Sequence, residues 1–219
     1  MPRLACPGLF GHSPSVAAFD LTPILPGIWV WQDYDPSVKA DLFSTGLGTA
    51  EGLYLVDPIP LPESQLCALS EAATIVGIIV TNANHSRASL AYSDRLSVPI
   101  FAKAQSFPDS KPARFTEAKS TAPIGGELEV IEIEGAVAGE ISLYHASNAG
   151  TLIVGDALIN FEPHGFSLLP RKYCLNQKQM RSSLHQLLER SVERVLFAHG
   201  MPILSGAAAR LRRLLDAGH

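Results

Sequence analysis

Cysteine is scarce in this chain. Cys6, Cys67 and Cys174 are its only thiols in 219 residues. They lie far apart, form no C-x-x-C pair and leave an odd number. That argues against a disulfide framework and points to reduced thiols in a cytoplasmic protein. Charge is sparse as well, at 17% of residues with a net −4 at neutral pH, and no basic run stands out. Nucleic acid is therefore not an expected partner. No apolar run approaches the length of a membrane span, so no membrane is expected either. The opening residues, MPRLACPGLFGHSP, carry a single arginine and no continuous apolar stretch, unlike a signal peptide. Apolar residues, by contrast, make up 47% of the chain, enough for a sizeable core. One domain over residues 1–219 is expected, with residues 1–15 as an irregular arm.

Periodicity divides the rest into elements. Residues 27–31 (GIWVW) read as a strand. Residues 39–58 read as two strands joined by a glycine-rich turn at Gly46-x-Gly48, the second strand ending where Asp57-Pro58 removes the next ladder donor. A helix is expected over 62–73, a strand buried on both faces over 74–81, a short helix over 86–97 and a strand over 98–102. Residues 103–123 read as a connection. Residues 126–135 alternate as a strand, and 140–147 with 150–158 form a hairpin around Asn148-Ala149-Gly150. Met180, Leu184, Leu187 and Leu188 set an amphipathic helix over 176–190. A strand over 192–200 and a helix over 205–218 close the chain. Strands followed by helices in both halves predict an α/β fold of two facing sheets, each covered outside by helices, a four-layer αββα sandwich.

Three strands end in chemistry: Val80 runs into Asn82–Arg87, Val154 into Asp156, and Phe197 into His199. The stretch FEPHGFSLLPRKY (161–173) reads as a packed connection rather than as a pocket wall. Cys174, at a helix start, has no histidine placed beside it by sequence, so no cysteine chemistry is expected. His145 reads as a sheet-face residue, and no role is assigned to His12, His164, His185 or His219.

In this order of elements the chain resembles the metallo-β-lactamase-fold hydrolases over roughly residues 27–216. LYLVDP is similar to the family strand that supplies a supporting acid, here Asp57. LIVGDAL resembles the segment carrying the bridging aspartate, here Asp156, and VLFAHG the one carrying the last ligand, here His199. EGAVAGEISLY aligns with the family's G-H-T-x-G loop and puts Ala136 at the histidine. TNANHSR aligns with T-H-x-H-x-D-H without gaps, putting Asn82 and Asn84 at the first two histidines, Ser86 at the aspartate and Arg87 at the last histidine. His85 falls on the spacer, its imidazole expected to point away unless the loop is shifted or bulged.

The resemblance implies a metal-dependent hydrolase by descent, with most ligands replaced. A hydrolytic zinc site needs about three protein ligands and a water. Arg87 brings a fixed positive charge to a cation's position. Its guanidinium is expected to take the metal's place and pair with Asp156. On this reading the protein lacks the dinuclear site, holds no cofactor, and is a pseudo-enzyme. Its polar cleft of Asn82, Asn84, Arg87, Asp156 and His199 would bind a small, anionic molecule. The alternative is a mononuclear hydrolase of ester- or thioester-type bonds, with one zinc, iron or manganese ion on Asp156, His199 and His85. In a third, metal-free variant His199 is the catalytic base. A homodimer through an exposed strand or the N-terminal arm stays open.

Overall fold

The computed structural model describes residues 21–161 and 165–217. The first sheet contains β1 (Thr22–Leu25), β2 (Ile28–Asp35), β3 (Ala40–Thr49), β4 (Gly52–Val56), β5 (Ile75–Ile79), β6 (Ile100–Ala102) and β7 (Phe115–Glu117), in that spatial order. The second contains β8 (Leu128–Glu132), β9 (Ile141–His145) and β10 (Thr151–Val154). A separate hairpin of β11 (Leu158–Phe161) and β12 (Gly165–Leu168) follows, and then β13 (Arg194–Phe197) joins the second sheet beside β10. The helices are α1 (Glu63–Ala72), α2 (Ser89–Leu96), α3 (Gln177–Leu184) and α4 (Ala207–Asp216). Among the described residues no helix is long and apolar enough to cross a membrane.

Strand alternation builds the layers. Successive side chains point to opposite faces, so Tyr54 and Val56 of β4 face the second sheet while Leu53 and Leu55 face α1 and α2. In the second sheet Ile153 and Leu196 point between the sheets, and Leu152, Val154, Val195 and Phe197 point out toward α3 and α4. Leu66 and Leu69 of α1 cover the first sheet; Met180, Leu184, Leu211 and Leu215 cover the second. The result is the expected αββα order. Each fully buried aliphatic side chain in these three apolar layers contributes roughly 1.5–3 kcal/mol.

Several expectations are corrected. Gly46 and Gly48 lie inside β3, and the turn is at Ala50-Glu51. Gly48 allows a close approach: its N–H donates to the Gly27 carbonyl at 2.7 Å, and an added Cβ would sit 3.2 Å from that oxygen. The connection over 103–123 contains β7, an edge strand parallel to β6. The 161–173 connection contributes β12, half of the β11–β12 hairpin. The helix expected over 176–190 is α-helical only to Leu184 and continues as a 3-10 turn over His185–Glu189. The 1–15 arm lies outside the described residues.

Parallel pairing sets the positions of the site. Val154 of β10 pairs with Phe197 of β13, so Asp156 and His199, two residues on, leave their strands at the same level. Val56 of β4 pairs with Ile79 of β5, which places Asp57 beside Val80 and Thr81. All four strands end on one edge of the sandwich, where ligands gather in open α/β sheets.

Arg87 ties that edge together. Its Nη1 donates to the carbonyls of Phe43 (2.6 Å) and Asp57 (3.0 Å), both in the first half. Its Nη2 donates to the carbonyl of Ala198 (3.4 Å), in the second half. Its backbone lies in the left-handed region, at φ 35°, a conformation kept only where surrounding contacts enforce it. Truncating Arg87 to Met leaves these acceptors without their charged donor, a loss of about 2–4 kcal/mol. Arg87→Lys should recover little of it, because a point ammonium does not reproduce the planar fork. Urea unfolding midpoints check both; an unchanged midpoint for Arg87→Met refutes the tie.

Candidate metal centre

Asp57 is the base of the site. Its carboxylate is buried at the end of β4, with φ 48°. Oδ1 accepts from the Thr81 N–H at 2.8 Å, and Oδ2 accepts from the Thr81 hydroxyl at 2.5 Å. Oδ2 also lies 2.9 Å from His85 Nδ1. In the neutral imidazole, Nδ1–H donating to Asp57 would leave the lone pair on Nε2. That nitrogen faces Asp156 Oδ1 at 3.2 Å and His199 Nε2 at 3.3 Å.

The loop that delivers His85 turns tightly after β5. The Asn82 side-chain Oδ1 accepts from the Asn84 N–H at 2.8 Å, an Asx-type turn. The His85 N–H closes back on the Asn82 carbonyl at 3.2 Å. This tightening turns His85 inward, where it is almost fully buried, and leaves Asn84 exposed at the mouth. The expectation that His85 points away is thereby corrected.

Asp156 arrives from the second sheet after Gly155. A Cβ on Gly155 would lie 2.6 Å from Thr81 Oγ1 and 2.7 Å from Glu140 Oε1, so only glycine permits this approach of the two halves. Asp156 Oδ1 is 3.2 Å from His199 Nε2, and Oδ2 accepts from Asn84 Nδ2 at 3.1 Å. His199 is anchored by the β11–β12 hairpin: its carbonyl accepts from the Asn160 N–H, and the Met201 N–H donates to the Asn160 carbonyl. His85, Asp156 and His199 thus form a cluster with metal-ligating atoms within 4.8 Å of one another.

The electrostatics follow from this crowding. Burial disfavours charge on His85, but the carboxylates of Asp156 and Asp57 outweigh it and push the imidazole up to about 9. Burial also opposes charge on Asp156, yet His85 and His199 hold it well below the usual carboxylate range. Asp57 is likewise held down against burial, by His85, Arg87 and Thr81. Glu140, buried and near Asp156, is pushed up to about 8. A positive charge among the three donors is strongly favoured, whether a proton or a metal ion supplies it.

Of the residues singled out in sequence, His85, Asp156 and His199 converge, Asn84 touches Asp156 and Asp57 supports His85. Asn82 is fully buried, and its side chain is engaged by Glu140 and the Asn84 amide, so it does not line an open cleft. Arg87 forms no ion pair with Asp156 among the described residues. Asp156 has the two imidazoles instead, and the guanidinium serves main-chain carbonyls. Ala136 is buried in the outer core of the second half. His145 lies 3.0 Å from Glu127, and Cys174 is packed near Met180. His12, His164 and His219 lie outside the described residues. Sequence reading missed Thr81 and Glu140. A charged residue between Gly139 and apolar Ile141 was the only signal for Glu140.

A pH dependence follows for the metal-free protein. The folded state holds the His85 proton more tightly than the unfolded chain, from its ordinary 6.5 up to about 9. Between those values the native state binds more protons, so stability falls as pH rises. Glu140, also raised, acts in the same direction up to about 8. Thermal midpoints in chelator should therefore drop from pH 6.5 to 9, and the drop should be smaller in His85→Ala. A midpoint that climbs over this range refutes the charge assignment.

Residues 23–217 match the sequence profile of the metallo-beta-lactamase superfamily. Among solved structures, the fold is similar to that of the DIM-1 metallo-beta-lactamase. The TM-score is 0.73 at 14% identity, covering 94% of this chain and 100% of that one. It is also similar to a metallo-beta-lactamase from Pontibacter korlensis, with a TM-score of 0.70 at 18% identity over 90% of this chain and 98% of that one. For the metallo-beta-lactamase IND-7 the TM-score is 0.68 at 20% identity, over 92% and 100%. No curated protein gives a significant sequence match. The profile match spans every site residue from Asp57 to His199, and the chain belongs to the metallo-beta-lactamase superfamily.

Proposed function

We propose that the protein is a mononuclear metal-dependent hydrolase, with His85, Asp156 and His199 holding one zinc ion. The observation that carries this reading is the donor triangle, whose edges are 3.2, 3.2 and 3.3 Å. Four ligands arranged tetrahedrally at the zinc–nitrogen distance of about 2.0–2.1 Å are separated by about 3.3–3.4 Å. An octahedral set at the same radius needs only about 2.9 Å. The triangle therefore matches the donor spacing that a zinc ion would need from these three residues. The binding-protein reading depended on Arg87 filling the cation's place, and Arg87 is engaged elsewhere.

A bound divalent ion supplies a Lewis acid and lowers the pKa of a water molecule toward neutrality. The chain's residues prepare the place for it. Asp57 fixes the His85 tautomer through Nδ1 and so presents the Nε2 lone pair. Asn84 holds Asp156 Oδ2 and leaves Oδ1 for the ion. His199, the most exposed of the three, stands at the mouth.

A substrate could be received near the segment that follows His199. A cleft of about 560 Å³ opens between the β1–β2–β3 edge and the segment after His199. Ile24, Val30, Phe43, Met201 and Leu204 are in its wall beside the carboxylates of Asp33 and Asp41, and no lysine or arginine is among its described lining residues. Tyr34, Met201 and Leu204 are exposed at its edge. A lining with two carboxylates and no cation suits an ester or thioester with an uncharged acyl group better than the anionic molecule expected from Arg87. Metal-stripped protein should take up about one equivalent of zinc, and Asp156→Ala should weaken uptake at least about 100-fold. Hydrolysis of p-nitrophenyl butyrate should vanish with chelator and return with zinc. Failure of the intact triad to bind zinc sinks the reading.

A further inference from the structure

Beyond the three candidate ligands, a hydrogen-bonded ring links both halves of the sandwich through a residue that no sequence motif singles out. Glu140, at the entry to β9, is buried with both carboxylate oxygens occupied. Oε2 accepts from Asn82 Nδ2 at 2.7 Å, and Oε1 accepts from the Ala157 N–H at 3.0 Å. Asn82 Oδ1 accepts from the Asn84 N–H at 2.8 Å, and Asn84 Nδ2 donates to Asp156 Oδ2 at 3.1 Å. The peptide bond from Asp156 to Ala157 closes the circuit.

We infer that Glu140 is a positioning residue, whose carboxylate locks this ring and thereby decides which oxygen of Asp156 faces the imidazoles. The inference rests on the metal-site reading above. Its chemistry is a matter of donor and acceptor counting. The N–H groups of Asn84 and Ala157 belong to the main chain and can only donate. The first forces Asn82 Oδ1 toward Asn84, so Asn82 Nδ2 points at position 140. Position 140 therefore meets a donor at each oxygen and must accept twice, which the two oxygens of a carboxyl group can do and the nitrogen of an amide cannot. Main-chain bonds on either side of Glu140 hold it there: the Ala83 N–H donates to the Ala138 carbonyl, and the Ile141 N–H to the Thr81 carbonyl. The close approach of Gly155 leaves no room for the side chain to swing aside.

The same counting supplies a test that separates positioning from bulk stability. Glu140→Gln keeps the shape but turns one hydrogen bond into a clash of two donors, and flipping Asn82 only moves the clash to the Asn84 amide. Exchanging the two groups, Asn82→Asp with Glu140→Gln, restores every hydrogen bond with the net charge unchanged. Zinc affinity would be measured by competition with a chromogenic chelator, alongside thermal midpoints, for wild type, E140Q and N82D/E140Q. The single variant should bind zinc about 10–100-fold more weakly, the range for groups that orient ligands. The exchanged pair should return to within about threefold of wild type. Wild-type affinity in E140Q overturns the inference, as does a double variant no better than the single one. If E140Q does not fold, the double variant alone decides: folded with near-wild-type affinity supports the ring, and unfolded or weakly binding overturns it. A wild-type protein that binds no zinc overturns the metal-site reading itself, and this role for Glu140 falls with it.

Discussion

One buried carboxylate underlies the geometry of this protein. Asp57 sits at the end of β4, away from water, where an unpaired charge would be costly. It is tolerated because Thr81 donates twice and His85 once, and those same bonds decide how His85 is presented. Its main-chain carbonyl meanwhile accepts from Arg87. Remove the charge and three things loosen together: the tautomer of His85, the turn after β5, and the seat of the guanidinium.

The two basic residues of that loop divide the work. His85 carries an imidazole nitrogen into the cluster, while Arg87 carries a fixed charge into a nest of carbonyls from Phe43, Asp57 and Ala198. A cation at the sheet edge is thus present in either case, but Arg87 braces the two halves and leaves the gap between the imidazoles and Asp156 free. Such sharing is possible because the strands on both sides run parallel into the same edge and end at matched levels.

Much of the fold was legible because its strands are buried on both faces and its helices on one. Runs such as 52–56 and 74–81 have no polar interruption, and the Met180–Leu188 spacing admits only one helix face. The short edge strands β1 and β7 were not legible; Pro23 and the brief Phe115–Glu117 segment have no periodicity of their own, and pairing with a neighbour defines them. In the site, Asp156 and His199 were legible as strand-end residues. His85 was misjudged because alignment counts residues evenly, whereas an Asx turn at Asn82 changes the direction of the chain within two residues.

By itself, then, the sequence determined the layers, the order of elements and the strand ends at which polar residues emerge. These follow from periodicity and from the cost of burying backbone, which are local properties. Only the tertiary structure decided that His85 joins Asp156 and His199, that Arg87 does not pair with Asp156, and that Glu140 belongs to the site at all. Each of those outcomes is a competition among partners far apart in the chain for the same buried donors and acceptors. Distance and direction settle such a competition, and neither is written in residue order.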